Sequence, residues 1–426
     1  MAEPARRPPR PWRVRRLGAN GAAALVLVVL GAALLLWQEP WQGDTDARVD
    51  IPADAASVLT QQFRALSTAG SESAFVDAAG PGSTAQAFAT QSWAARTTLG
   101  ATDVELRYLS GGEVADRADG STEARVEVSW RSGDDSGLPG SSGRTSTVAF
   151  RISPPADGGT FSILSVRPID GPLPLWLAGR ITLERQPGSV VIRVDGGGEA
   201  LPVEAMATAA RTAVVDVVPS TTGDVTTVSP HTQSQMALIV GQDVAEIGQI
   251  AAVTTRLDGR NGGKGAGTVI VLNPAVFSTM DRRAAQVVMT HEATHLLTGA
   301  VGSNAASWVI EGFADFVALH DDTAPLSVSA GQALAEVKDG RGPTRLPTSA
   351  DFGATRHGLG AVYESAWMAF RLLGQRNGDA AVVSFYEKVL QGRSLGPSIE
   401  SSFDLSTRQL TADWRAYLTK SASTVS

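Results

Sequence analysis

Residues 291–315 read HEATHLLTGAVGSNAASWVIEGFAD, and this stretch decides how the second half of the chain is expected to fold. His291 and His295 are four residues apart, so on a helix both rings point to nearly the same side. Val287 and Val288 lie on the same face one turn earlier. The spacing therefore predicts a helix whose two histidines continue a buried apolar stripe.

The limits of two consecutive helices are indicated by short polar residues and glycine. Residues 278–281 (STMD) fit a helix start, with a small acceptor and a carboxylate three positions later. Gly299 fits the end of that helix. Residues 308–315 then predict a second helix, with Ser303 or Asn304 as its cap.

Three acidic residues lie at positions that suit a metal site built around the two histidines. Glu311 follows His295 by sixteen residues, so its carboxylate can return to complete a three-ligand set that leaves one position open for water. Glu292 is placed beside such a metal, where it can take a proton from water. Asp315 lies one turn beyond Glu311 and can hold the ring of a ligand histidine.

The two segments HEATH (291–295) and WVIEGFADF (308–316) resemble the gluzincin metallopeptidases, the thermolysin-like group, and in spacing the compact peptidase MA-like bacterial domains. The resemblance covers roughly residues 175–426 in layout. It implies a zincin-like fold with Zn2+ as cofactor and a peptide or protein substrate. His291, His295 and Glu311 are then the metal ligands. Glu292 is the general base that activates the metal-bound water, and Asp315 is an outer residue that orients His291.

Flanking segments extend the resemblance. Thr268–Leu272 looks like the family's strand near the cleft, and an exposed edge there would bind an extended peptide. Tyr363 begins a segment similar to a later helix of the family, where a tyrosine faces the zinc and can stabilise the oxyanion. The alternative is that Tyr363 belongs to an apolar core stripe, with His357 as the second candidate donor.

A second class of function stays open, namely a membrane-tethered binding or sensory protein with a structural or degenerate zinc site. The general base Glu292 argues against it, because a structural site does not require that residue. A metallohydrolase that cuts another bond is a further alternative. His231 is expected at the surface. His320 ends the helix that carries Glu311, where a cation suits the helix dipole, and it is not expected to be a ligand. Residues 392–396 match G-x-S-x-G, but they follow a predicted helix and not a strand, which indicates a turn.

The N-terminus predicts a single membrane anchor. Residues 1–16 contain six Arg and one Glu, and residues 17–37 are uncharged over about 30 Å of helix. The arginines place the tail in the cytoplasm and the later domains outside the cell membrane. Residues 38–51 form a stalk. A cleaved signal peptide is the alternative, although residues 37–41 offer no small-x-small cleavage site.

The bulk composition limits the remaining possibilities. A chain of 426 residues is too long for one ordinary core and predicts two folded domains. With a net charge of −7, of which the first sixteen residues contribute +5, the rest is acidic and no nucleic-acid partner is expected. The absence of cysteine excludes disulfides and thiolate metal ligands.

Periodicity divides the chain into an α+β domain at 52–170, a linker at 171–180 and a domain at 181–426 that is largely helical in its C-terminal half. The resemblance implies that this last part is the metallopeptidase domain. The first domain resembles the cone-shaped, ketosteroid-isomerase-like fold in layout only. Apolar alternation predicts the strands Val104–Leu109, Ala124–Arg131, Thr145–Ile152, Phe161–Val166, Ile181–Glu184, Ser189–Asp195, Met236–Val240 and Thr268–Leu272.

Overall fold

The computed structural model describes residues 53–111, 119–133, 138, 143–155, 159–198, 200–257, 267–353 and 358–425. The predicted basic tail, membrane helix and stalk lie outside these residues, and each stays a prediction. Among the helices that the structure does describe, none combines the length and the apolar character needed to span a bilayer.

The first part of the described chain is rich in β-structure and packs helices against one antiparallel sheet. Its elements are α1 (Ala53–Thr68), α2 (Glu72–Ala78), α3 (Ser83–Thr98), β1 (Thr102–Gly111), β2 (Thr122–Arg131), β3 (Arg144–Ser153) and β4 (Ser162–Asp170). Each strand pairs antiparallel with the next one in the chain. The helices and the four strands predicted at 52–170 are confirmed, while the cone-shaped resemblance stays a prediction.

The helix α1 is held on this sheet by the apolar residues that its spacing predicts. Leu59, Phe63 and Leu66 are buried, and the Phe63 ring centroid lies 5.2 Å from that of Phe150 on β3. Because these residues recur every three to four positions, they form a single stripe that faces the sheet.

The segment predicted as a linker, residues 171–180, is largely buried. A short 3-10 turn spans Leu175–Leu177, and Leu173 and Trp176 are shielded from solvent beside it. These side chains join apolar residues from both flanking parts of the chain in one cluster. The two predicted parts are therefore in direct apolar contact, and the exact domain boundaries stay a prediction.

A second, mixed sheet follows, in the order β5-β6-β7-β9-β8. The strands β6, β7 and β9 are parallel, and β5 and β8 pair antiparallel at the two edges. The elements are β5 (Ile181–Gln186), β6 (Ser189–Val194), α4 (Val203–Val217), β7 (Val225–Ser229), α5 (Gln233–Val240), β8 (Ala252–Arg256) and β9 (Thr268–Leu272).

One strand prediction and one edge placement fail in this region. The segment Met236–Val240 is part of the helix α5, capped by the Thr232 hydroxyl, which accepts from the Gln235 N–H at 3.1 Å, and ended by left-handed Gly241. A short apolar run does not by itself distinguish a strand from a helix, and here the caps decide. The predicted edge strand β9 is internal, and the edge is β8.

The C-terminal half is helical, as predicted. Its elements are α6 (Pro274–Phe277), α7 (Arg282–Thr298), α8 (Ser307–Ala318), α9 (Leu326–Ser329), α10 (Gly331–Lys338), α11 (Leu359–Asn377), α12 (Asp379–Leu390), α13 (Leu395–Phe403) and α14 (Thr407–Thr424). Residues 392–394 lie in the turn between α12 and α13, and residues 395 and 396 begin α13. The sequence indicates such a turn at 392–396.

The second sheet is buried on both faces. On β9, Val269 and Val271 pack with Trp176 on one side, whereas Ile270 and Leu272 pack with α4 and α7 on the other. Alternate residues of a strand point to opposite faces, so nearly continuous apolar strands are expected where both faces are covered. This arrangement places α7 directly against the sheet and beside its edge strand β8.

Candidate metal centre

The helix α7 carries both histidines of the candidate site. Its N-cap is Asp281, whose carboxylate accepts from the Ala284 N–H at 2.8 Å, so the helix starts later than the predicted Ser278. Asp281 is preferred because an ionised acceptor both caps the free N–H groups and suits the helix dipole. Gly299, at a φ of 67°, ends the helix as predicted.

The helix α8 brings the third ligand and crosses close to α11. It starts at Ser307, with Ala306 at the cap position, and neither Ser303 nor Asn304 caps it. Gly312 permits the close crossing, because a Cβ at that position would lie 2.7 Å from the main-chain oxygen of Ala366. The approach of the two helices fixes where Glu311, the neighbour of Gly312, points.

The three predicted ligands converge in a buried cluster. The Nε2 atoms of His291 and His295 lie 2.9 Å apart, and Glu311 Oε2 lies 3.1 Å from the first and 3.6 Å from the second. All three potential ligand atoms lie within 4.8 Å of one another. The described residues thus form a His-His-Glu group that could hold a metal ion.

Asp315 fixes the orientation of the His291 ring. Its Oδ1 accepts from His291 Nδ1 at 2.8 Å, and the side chains of both residues are almost fully shielded from solvent. With Nδ1 donating to Asp315, the remaining nitrogen, Nε2, is the one directed at Glu311. This is the arrangement in which a neutral histidine presents a lone pair to a metal.

The donor set fits a divalent cation. The Nε2 lone pair of His291 and the Glu311 carboxylate are both acceptors, so at 3.1 Å they require a positive centre between or beside them. Burial opposes a charge on His291, but the carboxylates of Asp315 and Glu311 outweigh it and raise its pKa well above the usual range. The two carboxylates therefore favour a positive charge at this place.

The pKa of Glu311 is shifted in the opposite direction to that of His291. Burial alone would raise the pKa of its carboxyl, but the imidazoles of His295 and His291 lower it to about 2. The carboxylate stays ionised at any physiological pH, and its Oε1 makes no hydrogen bond within the described part of the chain. An ionised, incompletely satisfied carboxylate in a buried place is typical of a metal ligand.

Glu292 lies beside the cluster without belonging to it. Its Oε2 accepts from the Thr254 hydroxyl at 2.6 Å, and its Oε1 is buried with no partner among the described residues. The side chain is fully shielded from solvent, and burial raises its pKa despite the nearby imidazoles. Thr254 was not predicted from the sequence. Its strand β8 has only five residues, three of them polar, and carries no distinctive motif.

Tyr363 lies in α11 with its hydroxyl buried near the cluster. Burial, together with the negative charges of Glu311, Asp315 and Glu292, raises the pKa of this phenol well above its usual range. The Glu311 carboxylate is near enough to the hydroxyl to act as an acceptor, and this also raises the pKa. The ring of Tyr363 meanwhile packs edge-on against Phe352 at 5.0 Å between centroids. The ring of Tyr363 is therefore part of the core, while its hydroxyl lies near the candidate metal site.

His231 and His320 are not brought to the cluster. His231 Nδ1 contacts the main-chain oxygen of Gly197 at 2.8 Å, and His320 lies at the end of α8 between two surface carboxylates. His357 and the glycine-rich residues 262–266 lie outside the described residues.

No protein-family model and no curated protein matches the sequence. A solved structure of a two-domain M1 zinc metallopeptidase, determined as a mutant bound to L-arginine, is similar to this chain. The match has 12% sequence identity and a TM-score of 0.33, and it covers 71% of this chain and 90% of that chain.

Proposed function

We propose that the protein hydrolyses peptide bonds with the help of Zn2+ held by His291, His295 and Glu311. The observation that carries this proposal is the convergence of those three ligand atoms next to Glu292, a carboxylate that is not needed to hold the metal. Two imidazoles and one carboxylate are typical of catalytic zinc sites, which keep a further position open.

A zinc ion in this place supplies a Lewis acid for both water and the scissile carbonyl. The chain supplies the proton transfers. Glu292 takes a proton on its unpartnered Oε1 and passes it to the departing nitrogen, because His291, His295 and Glu311 are occupied as metal ligands. Asp315 meanwhile keeps His291 in the tautomer that can bind the metal.

Tyr363 is proposed as the donor that stabilises negative charge on the carbonyl oxygen. Its raised pKa keeps the phenol protonated, so it can donate a hydrogen bond to that oxygen. Donors of this kind contribute roughly 3–4 kcal/mol to acyl-transfer reactions. A role confined to core packing is the alternative.

The location of this activity is also a proposal, and it rests on the sequence alone. The arginine-rich tail and the uncharged run at 17–37 support a single-pass protein with its N-terminus in the cytoplasm and the catalytic domain outside. The binding or sensory alternative remains, but no feature of the described residues favours it over hydrolysis.

The variant Glu292→Gln tests the proposal. It should retain the zinc content of the wild type, because Glu292 is not a ligand, and lose roughly a hundredfold or more of peptide cleavage. The measurement is zinc analysis together with turnover of a broad peptide library. Equal cleavage by the two proteins would exclude the proposed role.

The matched control is Glu364→Gln, which makes the same substitution at another buried glutamate. Burial raises the pKa of Glu364 to about 8, so at neutral pH the amide resembles the carboxyl it replaces. Its Oε2 accepts from the Ala333 N–H at 2.7 Å, and a Gln oxygen can accept the same bond. Cleavage by this variant should remain close to wild type.

A further inference from the structure

The hydroxyl of Thr254 makes a contact that neither the sequence motif nor the ligand set explains. Thr254 is the middle residue of the edge strand β8 and is 3% exposed. Its Oγ1 lies 2.6 Å from the side-chain Oε2 of Glu292 and 3.0 Å from the main-chain oxygen of the same residue. Both atoms are acceptors, so the hydroxyl must be the donor in either contact.

A hydroxyl has one proton and can make only one strong donation at a time. The carboxylate contact is the shorter of the two, and an ionised acceptor forms the stronger bond. The main-chain oxygen of Glu292, by contrast, belongs to the interior of α7, where the helix itself supplies an N–H donor. The proton of Thr254 is therefore directed mainly to Oε2.

The placement of Thr254 follows from the register of the second sheet. Within β8, Val253 points to the side of Trp176, so Thr254 points to the opposite side, where α7 packs. Thr254 pairs with Ile270 of β9, which anchors its backbone to the interior of the sheet. A β-branched residue is also restricted in χ1, so its hydroxyl is held in a narrow range of directions.

We infer that Thr254 is a positioning residue that holds Oε2 of Glu292 and thereby leaves Oε1 as the oxygen that moves protons. Oε1 makes no hydrogen bond within the described residues, so the two oxygens of this carboxylate are in different states. A carboxylate held at one oxygen cannot rotate freely away from the ligands. This inference rests on the proposed function, since it assigns Thr254 to the reaction of that site.

The first test compares Thr254→Val, which removes the hydroxyl and keeps the shape, with Thr254→Ser, which keeps the hydroxyl. In the full-length protein loaded with zinc, the Val variant should lower kcat by roughly 10- to 100-fold, the usual effect of a misplaced catalytic group, with KM and zinc affinity nearly unchanged. The Ser variant should recover most of kcat. A Val variant with wild-type kcat, or a Ser variant as impaired as Val, would overturn the inference.

The second test needs no activity. In the metal-free full-length chain, Thr254→Val should lower the urea midpoint, because it leaves the buried Oε2 of Glu292 without a donor. In a chain that carries Glu292→Leu, the same substitution should leave the midpoint unchanged or raise it. Equal losses in both backgrounds would show that the hydroxyl serves the main-chain oxygen, and the inference would be wrong.

The two tests separate the inference from the proposed function. Coupling between Thr254 and Glu292 in the urea experiment, combined with a wild-type protein that cleaves no peptide, would sustain the contact and overturn the catalytic assignment of both residues. Peptide cleavage without coupling would sustain the proposed function and overturn the role of Thr254.

Discussion

His291 and His320 each have a carboxylate at both ring nitrogens, yet the two imidazoles lie in opposite surroundings. His291 contacts Asp315 through Nδ1 and Glu311 through Nε2, and its side chain is 1% exposed. The side chain of His320 is 33% exposed. The same local chemistry is therefore present in a buried place and at a surface.

The carboxylates around His320 do not converge on one point, as the ligands of a metal site must. His320 meets Asp321 and Asp379 on two different sides of its ring, so the two carboxylates do not point to one common place. Around His291, by contrast, His295 and Glu311 approach the same nitrogen. Convergence of several donors on one point in a buried place distinguishes a ligand set from an ordinary ion pair.

The largest expected effect comes from removing a ligand. Glu311→Gln should lower zinc affinity by more than roughly 100-fold, the upper range for loss of an outer-shell partner, because it removes the charge that faces both imidazoles. Competition with a chelator measures it. Asp379→Asn makes the equivalent change beside His320 and should leave zinc affinity unaltered. Similar losses in the two variants would contradict the distinction.

A smaller effect is expected from the residue that holds the ring. Asp315→Asn should lower zinc affinity by roughly 10- to 100-fold, because the amide can present its N–H to Nδ1 and favour the wrong tautomer. The control is Asp321→Asn at the corresponding nitrogen of His320. The same chelator competition applies, and a wild-type affinity in Asp315→Asn would exclude the orienting role.

The smallest effect is the pH dependence of the surface histidine. Burial opposes its charge, but Asp379 and Asp321 raise the pKa of His320 above 6.5. The contribution of protonated His320 to the free energy of unfolding is therefore complete below pH 6.5. It is lost as the pH rises through the raised pKa of His320 in the folded protein. Because His320 is exposed, this contribution should stay below about 1 kcal/mol.

The variant His320→Gln measures this contribution. The difference in unfolding free energy between wild type and variant should be larger at pH 6 than at pH 8.5. A difference for His320→Gln that grows with rising pH would contradict the assigned direction.

The ligand set was accessible from the sequence because it depends on helical periodicity. A spacing of four residues brings His291 and His295 to one face whatever surrounds the helix, and the same rule relates Glu311 to Asp315. The helix ends were predicted less well, as the cap at Asp281 shows. Neighbouring acceptors compete for one cap, and the local sequence does not decide between them.

The short strands of the second sheet were less predictable. The strands β7 and β8 have five residues each and escaped prediction, while Met236–Val240 was read as a strand and is helical. An apolar segment of five residues fits either structure until its neighbours are known. The edge position of β8, and with it the place of Thr254 beside Glu292, follows only from the order of strands in the sheet.

The sequence by itself determined which residues can bind a metal, because their spacing on single helices is a local property of the backbone. Tertiary structure decided that α8 returns to α7 so that Glu311 meets two imidazoles. It also decided that Thr254 is the partner of Glu292. Contacts between residues 20 or 38 positions apart depend on how helices and strands pack, and that packing is set by the whole core rather than by any one segment.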